Sequence, residues 1–448
     1  MNYIIRSIGT LVLLLLFSGC KKYLDEKPDK HLVIPTRVED LQGLLDDNTT
    51  MNNYTWGLSE ASADDYYLTT KDWSSLSTEA ERNMYIWGDE VISEAYPNWW
   101  SLIYGCIYNT NVVLDYINAV NTSTETERNT VKGMALFFRA DAFYKIASVW
   151  ANAYDEQTAD KDAGIPLRLS SDFNIPSTRS TVRQTYQQII GDLKTAIPLL
   201  PINPGHVMRP SKAAAYGLLG RVLLSMRQYN EAGLYADSSL QINSSLMNFN
   251  DLQSGNFPIG QFNKETLFYT SGTVPALVFT VCKIDSVLGQ SYADDDLRKS
   301  AFFKSNGDGS LAFYGHYTGT VLMFTGVAVD EQYLIKAECS ARADKTEEAM
   351  QLLNRLLKTR WKADTFTPLT AQSPSEALSI ILKERRKELL MRDLRWMDIK
   401  RLNKEGAGIS LTRMLNGKKY ELPANSPKFA LPLPEYILKL TGMQQNPR

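Results

Sequence analysis

The feature that most restricts the fold of this 448-residue chain is a pair of helix-period segments with almost nothing between them. Lys212–Met226 carries apolar residues at three- and four-residue spacing, and Gln228–Ile242 resumes the pattern after one residue. A break that short makes the two helices fold back on each other as a hairpin. Gly220 and Ala232 are small enough for close approach, and larger neighbours fill the space around them. Asp330–Leu357 carries a weaker version, with Tyr333, Ala337 and Ala349 at corresponding places. Trp100–Tyr116, Thr130–Val149, Thr185–Leu200 and Pro374–Met391 add four more helical patterns. Ser373 is placed to cap the last of these, with Pro374 in its first turn.

The first hairpin fits a known repeat length. Counted on the 34-residue tetratricopeptide register, Tyr216, Leu219, Gly220, Tyr229 and Ala232 fall where that repeat wants an aromatic, Leu, Gly, Tyr and Ala. One position disagrees: four places after Ala232 the register asks for an aromatic, and Ala236 stands there. Residues 245–325 look different, broken often by Gly, Ser, Asn and Asp, with Ala276–Cys282 and Gly319–Thr325 as possible strands. The expected fold is mainly α: a tetratricopeptide-type helical hairpin scaffold with a large irregular, loop-rich insertion containing a few short strands.

The N-terminus speaks to location. Arg6, an apolar run from Ile8 to Phe17, and Ser18-Gly19-Cys20 form the charged start, apolar core and small-residue junction of a secretory signal. A cysteine directly after such a junction resembles a bacterial lipoprotein signal, whose thiol takes a diacylglycerol, although Phe17 occupies a place that usually holds Leu. The apolar run is shorter than the ~20 residues needed to cross a bilayer. Cys20 is therefore the expected lipidation site, and the body is expected outside the cytoplasm. A net charge of −2 supplies no global positive field to attract nucleic acid. Cys106, Cys282 and Cys339 have no CxxC partner and read as buried small hydrophobes. His31, His206 and His316 stand far apart, so no local pattern suggests a metal centre or a catalytic triad.

Aromatic residues are the compositional signal: 23 Tyr and 8 Trp, five of the Trp within residues 56–100. Two segments mix rings with hydrogen-bonding groups, as a sugar site requires when rings stack on C–H faces and polar groups take the hydroxyls. In Ala63–Trp73 the candidates are Asp65, Tyr66, Tyr67 and Trp73, beside Asp64 and Lys71. In the irregular region they are Tyr292, Arg298, Tyr314 and Tyr317, near Phe303. The Asp294–Asp296 run has oxygens for Ca²⁺ but lacks EF-hand spacing, so a solvated acidic turn and no cofactor are expected. Glu384, Arg385, Arg386 and Glu388, with Asp393 and Arg395, read as paired structural charges. The expectation is a binding protein and not an enzyme, with a two-carboxylate glycosidase as the less favoured alternative.

Several segments together resemble the SusD/RagB family of outer-membrane nutrient-binding lipoproteins of Bacteroidetes. They are Gly164–Leu167, Arg179–Val182 and Arg209–Leu224, then Ile381–Arg401 with its ERRKEL and RWMDIKR runs, and the terminal LPLPEYI and QNP. The Glu-Gly or Glu-His usual before the RWxD arginine is replaced by Arg392-Asp393, and the usual Trp-Gly by Trp150-Ala151. The resemblance implies a protein on the outer membrane, facing the cell exterior. It would bind oligosaccharide, or alternatively peptide, and pass it to a SusC-like TonB-dependent transporter. The implied division is 1–19 signal peptide, 20–60 lipidated lead and 61–244 helical-repeat scaffold with a ligand-facing loop. An insertion lobe at 245–325 and a C-terminal helical hairpin and signature region at 326–448 complete it.

Overall fold

The computed structural model describes residues 35–53, 57–122 and 124–448. Cys20, the expected lipidation site, lies outside the described residues. The principal helices are α1 (Val38–Leu45), α2 (Trp99–Tyr116), α3 (Glu125–Trp150), α4 (Val182–Leu199), α5 (Lys212–Ser225) and α6 (Tyr229–Ile242). They continue with α7 (Val329–Arg342), α8 (Thr346–Lys358), α9 (Pro374–Glu388), α10 (Arg395–Asn403) and α11 (Glu435–Thr441). The chain is mainly helical, with only small strand pairs, as the hairpin pattern predicts.

Successive helices pack on one another: α2 on α3, α3 on α4, α5 on α6, α6 on α7, and α7 on both α8 and α9. Boundaries follow local chemistry. Thr181 caps α4 by accepting the Gln184 amide, while the Gln184 side chain takes the Thr181 amide in return. Ser373 caps α9 by accepting the Glu376 amide, as its place before Pro374 predicts. Helix α3 is buried on all sides from Gly133 onward, so it is the central rod and not an amphipathic surface helix. Its Phe137 and Phe138 meet Phe268 edge-on at 4.7 and 5.5 Å between centroids.

The α5–α6 contact explains the one position that departs from the repeat register. A Cβ on Gly220 would stand 3.3 Å from the Ala232 carbonyl oxygen and 3.3 Å from the Ala236 amide nitrogen. Ala236 is fully buried at this crossing. Two small residues here let the helix backbones approach more closely than an aromatic at Ala236 would allow.

The strands are β1 (Tyr66–Tyr67), β2 (Ala163–Pro166), β3 (Arg179–Thr181), β4 (Thr266–Phe268), β5 (Ser271–Gly272) and β6 (Lys283–Ile284). The rest are β7 (Phe303–Ser305), β8 (Leu311–Phe313), β9 (Met323–Phe324), β10 (Val327–Ala328), β11 (Leu411–Leu415) and β12 (Lys418–Leu422). All form antiparallel pairs: β1–β6, β2–β3, β4–β10, β5–β9, β7–β8 and β11–β12. Ala276–Cys282 is not the expected strand. Pro275, which has no N–H for a ladder, opens a 3₁₀ turn over Pro275–Leu277. Gly319–Thr325 contributes only β9. Two of the pairs tie residues 245–325 to the flanking chain, β1–β6 and β4–β10. One hydrophobic core runs from Val38 through that segment to Leu433.

Candidate ligand-binding face

The charged residues of the C-terminal signature are mostly internal. Arg298 is fully buried and binds Asp296 at 2.7 Å, Glu384 at 2.6 Å and Glu388 at 3.0 Å. Glu388 passes the contact to Arg360 at 2.7 Å, and Arg360 forks onto Glu265. The Tyr317 hydroxyl donates its proton to Glu265 at 2.7 Å and lies 3.1 Å from Asp330, and Asp330 meets Arg392. This chain of charges fastens residues 265–317 to α9 and the turn after it.

A second group holds the Ala63–Trp73 segment. Arg386 donates to Asp65 at 2.8 Å, and Arg395 donates to Asp64 at 2.7 Å. Burial opposes ionisation of Asp64, but Arg395 and then Arg386 outweigh it and hold the carboxyl at about 2. Arg385 and Arg401 do the same for Asp398, which burial alone would raise; it too lies at about 2. Asp393 explains the departure at Arg392-Asp393. Its φ of 61° is left-handed, a conformation glycine adopts freely, and its carboxylate accepts from the Ser59 hydroxyl and the Glu60 amide.

Five sequence candidates are therefore corrected. Asp65, Tyr66, Tyr292, Arg298 and Tyr317 are each no more than 2% exposed. Asp65 and Arg298 are spent on ion pairs. The hydroxyl of Tyr66 donates to the Ala61 carbonyl, that of Tyr292 to the Lys387 carbonyl, and that of Tyr317 to Glu265. These side chains support the scaffold and do not face a ligand. The acidic run divides as well: Asp296 is buried on Arg298, while Asp294 pairs with Lys299 at the surface. Among the described residues no group of three or more His, Cys, Asp or Glu is placed to hold a metal ion.

Tyr67, Trp73 and Tyr314 remain half-buried at the surface, and the fold connects them. Tyr67 pairs with Lys283 across β1–β6, and β6 packs against β8, which leads directly into Tyr314. The Lys283 ammonium reaches Asp72 at 2.7 Å, beside Trp73, whose indole N–H donates to the Arg82 carbonyl. Around Tyr314 the structure adds residues that the sequence reading missed. Phe279 lies 4.9 Å from Tyr314 between centroids and Phe257 5.4 Å, their planes tilted by 46° and 37°. Lys304 sits 4.5 Å over the Tyr314 ring and donates to the exposed Asn256. No local motif links positions 257, 279, 304 and 314; the one available signal was Phe279 in an apolar run that reads as a strand. The product is a tilted three-ring surface bordered by the Lys304 ammonium and the Asn256 amide. Such a surface offers ring faces to C–H groups and polar atoms to hydroxyls.

The helical-repeat scaffold with an aromatic face on its insertion has known relatives. The family model described as "Starch-binding associating with outer membrane" matches residues 22–224, and that described as "SusD family" matches residues 331–446. Similar solved structures include a SusD superfamily protein from Bacteroides thetaiotaomicron (TM-score 0.73, 21% identity), covering 92% of this chain and 100% of that one. A putative sugar-binding protein from Bacteroides vulgatus gives a TM-score of 0.75 at 20% identity, covering 93% and 99%. A laminarin-binding SusD-like protein gives 0.68 at 17% identity, covering 92% and 99%. No curated protein matches the chain. The chain belongs to the SusD superfamily. The aromatic triad falls between the two matched segments, in residues that neither family model covers.

Proposed function

We propose that this protein is a lipid-anchored glycan-binding protein of the outer membrane, facing the cell exterior. It captures oligosaccharide and delivers it to a partner SusC-like TonB-dependent transporter, without catalysing a reaction and without a cofactor. The observation that carries the reading is the Phe257–Phe279–Tyr314 surface with Lys304 at its edge. Membership of a superfamily whose solved members include sugar- and laminarin-binding proteins supports the ligand class. Tyr67 and Trp73 extend the proposed contact surface along β1 and the short helix after it. The Cys20 junction supports the anchor, and no helix among the described residues is long and apolar enough to cross a membrane.

Glycan and peptide arrays probed with a secreted Cys20→Ala chain test the ligand class. Binding to glycans is expected, and binding to peptides alone would replace this reading with a peptide carrier. Prolonged incubation should return any bound glycan intact; released sugar overturns the non-enzymatic assignment. In cells the Cys20→Ala chain should bind ligand yet fail to support uptake. Normal uptake would remove the tether from the mechanism.

A further inference from the structure

We infer that a second saccharide site, for a neutral glycan, lies in a cleft on the N-terminal helices, built from none of the insertion's residues. The cleft has a volume of about 310 Å³ and is walled by α2, the 166–177 segment and α11 with the residues after it. One wall is an aromatic stripe: Trp100, Tyr104 and Tyr108 stand four residues apart on α2 and line it together. Trp100 is only 5% exposed, so the accessible part of the stripe runs from Tyr104 to Tyr108, about 6 Å at the helical rise of ~1.5 Å per residue. Trp100 and Tyr104 lie 4.9 Å apart with planes tilted by 32°, and Trp150 braces Trp100 edge-on from behind. Tyr108 is 42% exposed, and its hydroxyl makes no hydrogen bond among the described residues.

The opposite wall is built rather than loose. The buried Asn111 donates its amide to the carbonyls of Arg168 and Ser170, and Asp115 accepts from the Ser171 amide and hydroxyl. So held, the segment presents Phe173, 81% exposed, on the cleft. Large rings are ordinarily buried; one held open to water on a fastened loop, lining the same cleft as other rings, is available to stack on a flat ligand. The Ser170, Ser171, Ser177 and Thr441 hydroxyls line the same space.

Charge selects the class. The one charged side chain in the lining is Arg168, three of whose five N–H groups go to the Asp172 and Ile175 carbonyls and Ser177. With no carboxylate in the lining, the cleft offers no counter-charge to a cationic ligand, and Arg168 is turned mainly onto its own loop, so ring faces and hydroxyls carry recognition. It opens beside a further depression of about 540 Å³ that shares Ser177, Thr441 and Met443 but is lined also by Lys161, Asp162 and Arg179, so the carboxylate-free, ring-lined surface belongs to the first cleft alone. A concave space of this size fits a small ligand, whereas a stable protein partner covers about 800 Å² on each side.

The inference rests on the proposed function only for the saccharide class. The test uses the secreted Cys20→Ala chain carrying 5-fluorotryptophan, its Trp100 signal assigned with Trp100→Phe, and soluble starch and laminarin oligosaccharides with an anionic oligogalacturonate as control. Neutral oligosaccharide should move the Trp100 signal. Phe173→Ala with Tyr108→Ala should weaken binding at this site about a hundredfold, about tenfold for each stacked ring, so the shift is lost at concentrations that saturate the unsubstituted chain. Phe279→Ala with Tyr314→Ala should leave it intact. A silent Trp100 with binding retained at the insertion overturns the second site alone, and no saccharide at either place overturns both readings. An equal response to the anionic control, or loss of transporter co-purification on Phe173→Ala without loss of sugar binding, also overturns the second site.

Discussion

The charge lattice under α9 and the aromatic face of the insertion contain the same kinds of residue with opposite exposure. Around Arg298 the rings of Tyr292 and Tyr317 and the charges of Asp296, Glu388 and Glu265 are sealed from water. Around Tyr314, two further rings, Lys304 and Asn256 remain at the surface. The difference lies in the supply of counter-charge. Helix α9 and the turn after it deliver Glu384, Arg385, Arg386, Glu388 and Arg392, so polar groups meeting that region are neutralised and can be buried. Among the described residues the Tyr314 rings meet Lys304 and no buried ion pair, and they stay half-exposed. Burial in this protein follows partner supply more than residue type.

The largest test of that contrast is Arg298→Ala. Two buried carboxylates, Asp296 and Glu388, and the half-buried Glu384 would lose their shared cation, and denaturant unfolding should show a loss of about 3–5 kcal/mol. A loss below about 1 kcal/mol would mean that the lattice does not govern burial. Next is acid. The Asp398 carboxyl lies at about 2 in the folded chain against an ordinary 3.8. Its stabilisation is therefore present above about pH 4 and is lost as the pH falls toward 2. That amounts to about 2 kcal/mol, and unfolding free energies measured at pH 5 and pH 2.5 should reveal it. Asp398→Asn should flatten this part of the profile, and an unchanged slope would assign acid sensitivity elsewhere.

On the other side of the contrast, Tyr314→Ala should weaken glycan binding about tenfold by calorimetry while moving stability by under about 1 kcal/mol. Trp73→Ala should follow with a smaller loss; unchanged affinity in both variants would remove this face as the site. Lys304→Met should have the smallest effect, a change of about twofold, because an exposed ammonium contributes little in water. A large, salt-sensitive loss instead would show that charge and not stacking dominates.

Much of the scaffold was legible. The close pairing of α5 and α6, the Ser373 cap and the α7–α8 hairpin follow from spacing within short windows of chain. The candidate site was legible only in part. Tyr67, Trp73 and Tyr314 reach the surface, while Asp65, Tyr66, Tyr292, Arg298 and Tyr317 do not, and nothing beside them in the chain separates the two sets. Asp65 is buried because Arg386 arrives from 321 residues away, and Arg298 because Glu388 arrives from 90.

The sequence by itself determined what periodicity and local chemistry control: a mainly helical scaffold, the closeness of the Gly220 crossing, the helix caps and the family signature. Only the tertiary structure decided which tyrosines and charges meet water, and that Phe257, Phe279 and Tyr314 form one surface. The physical reason is range. Helix formation and capping act over three or four residues, whereas the burial of a charge or a ring depends on what a distant segment brings against it.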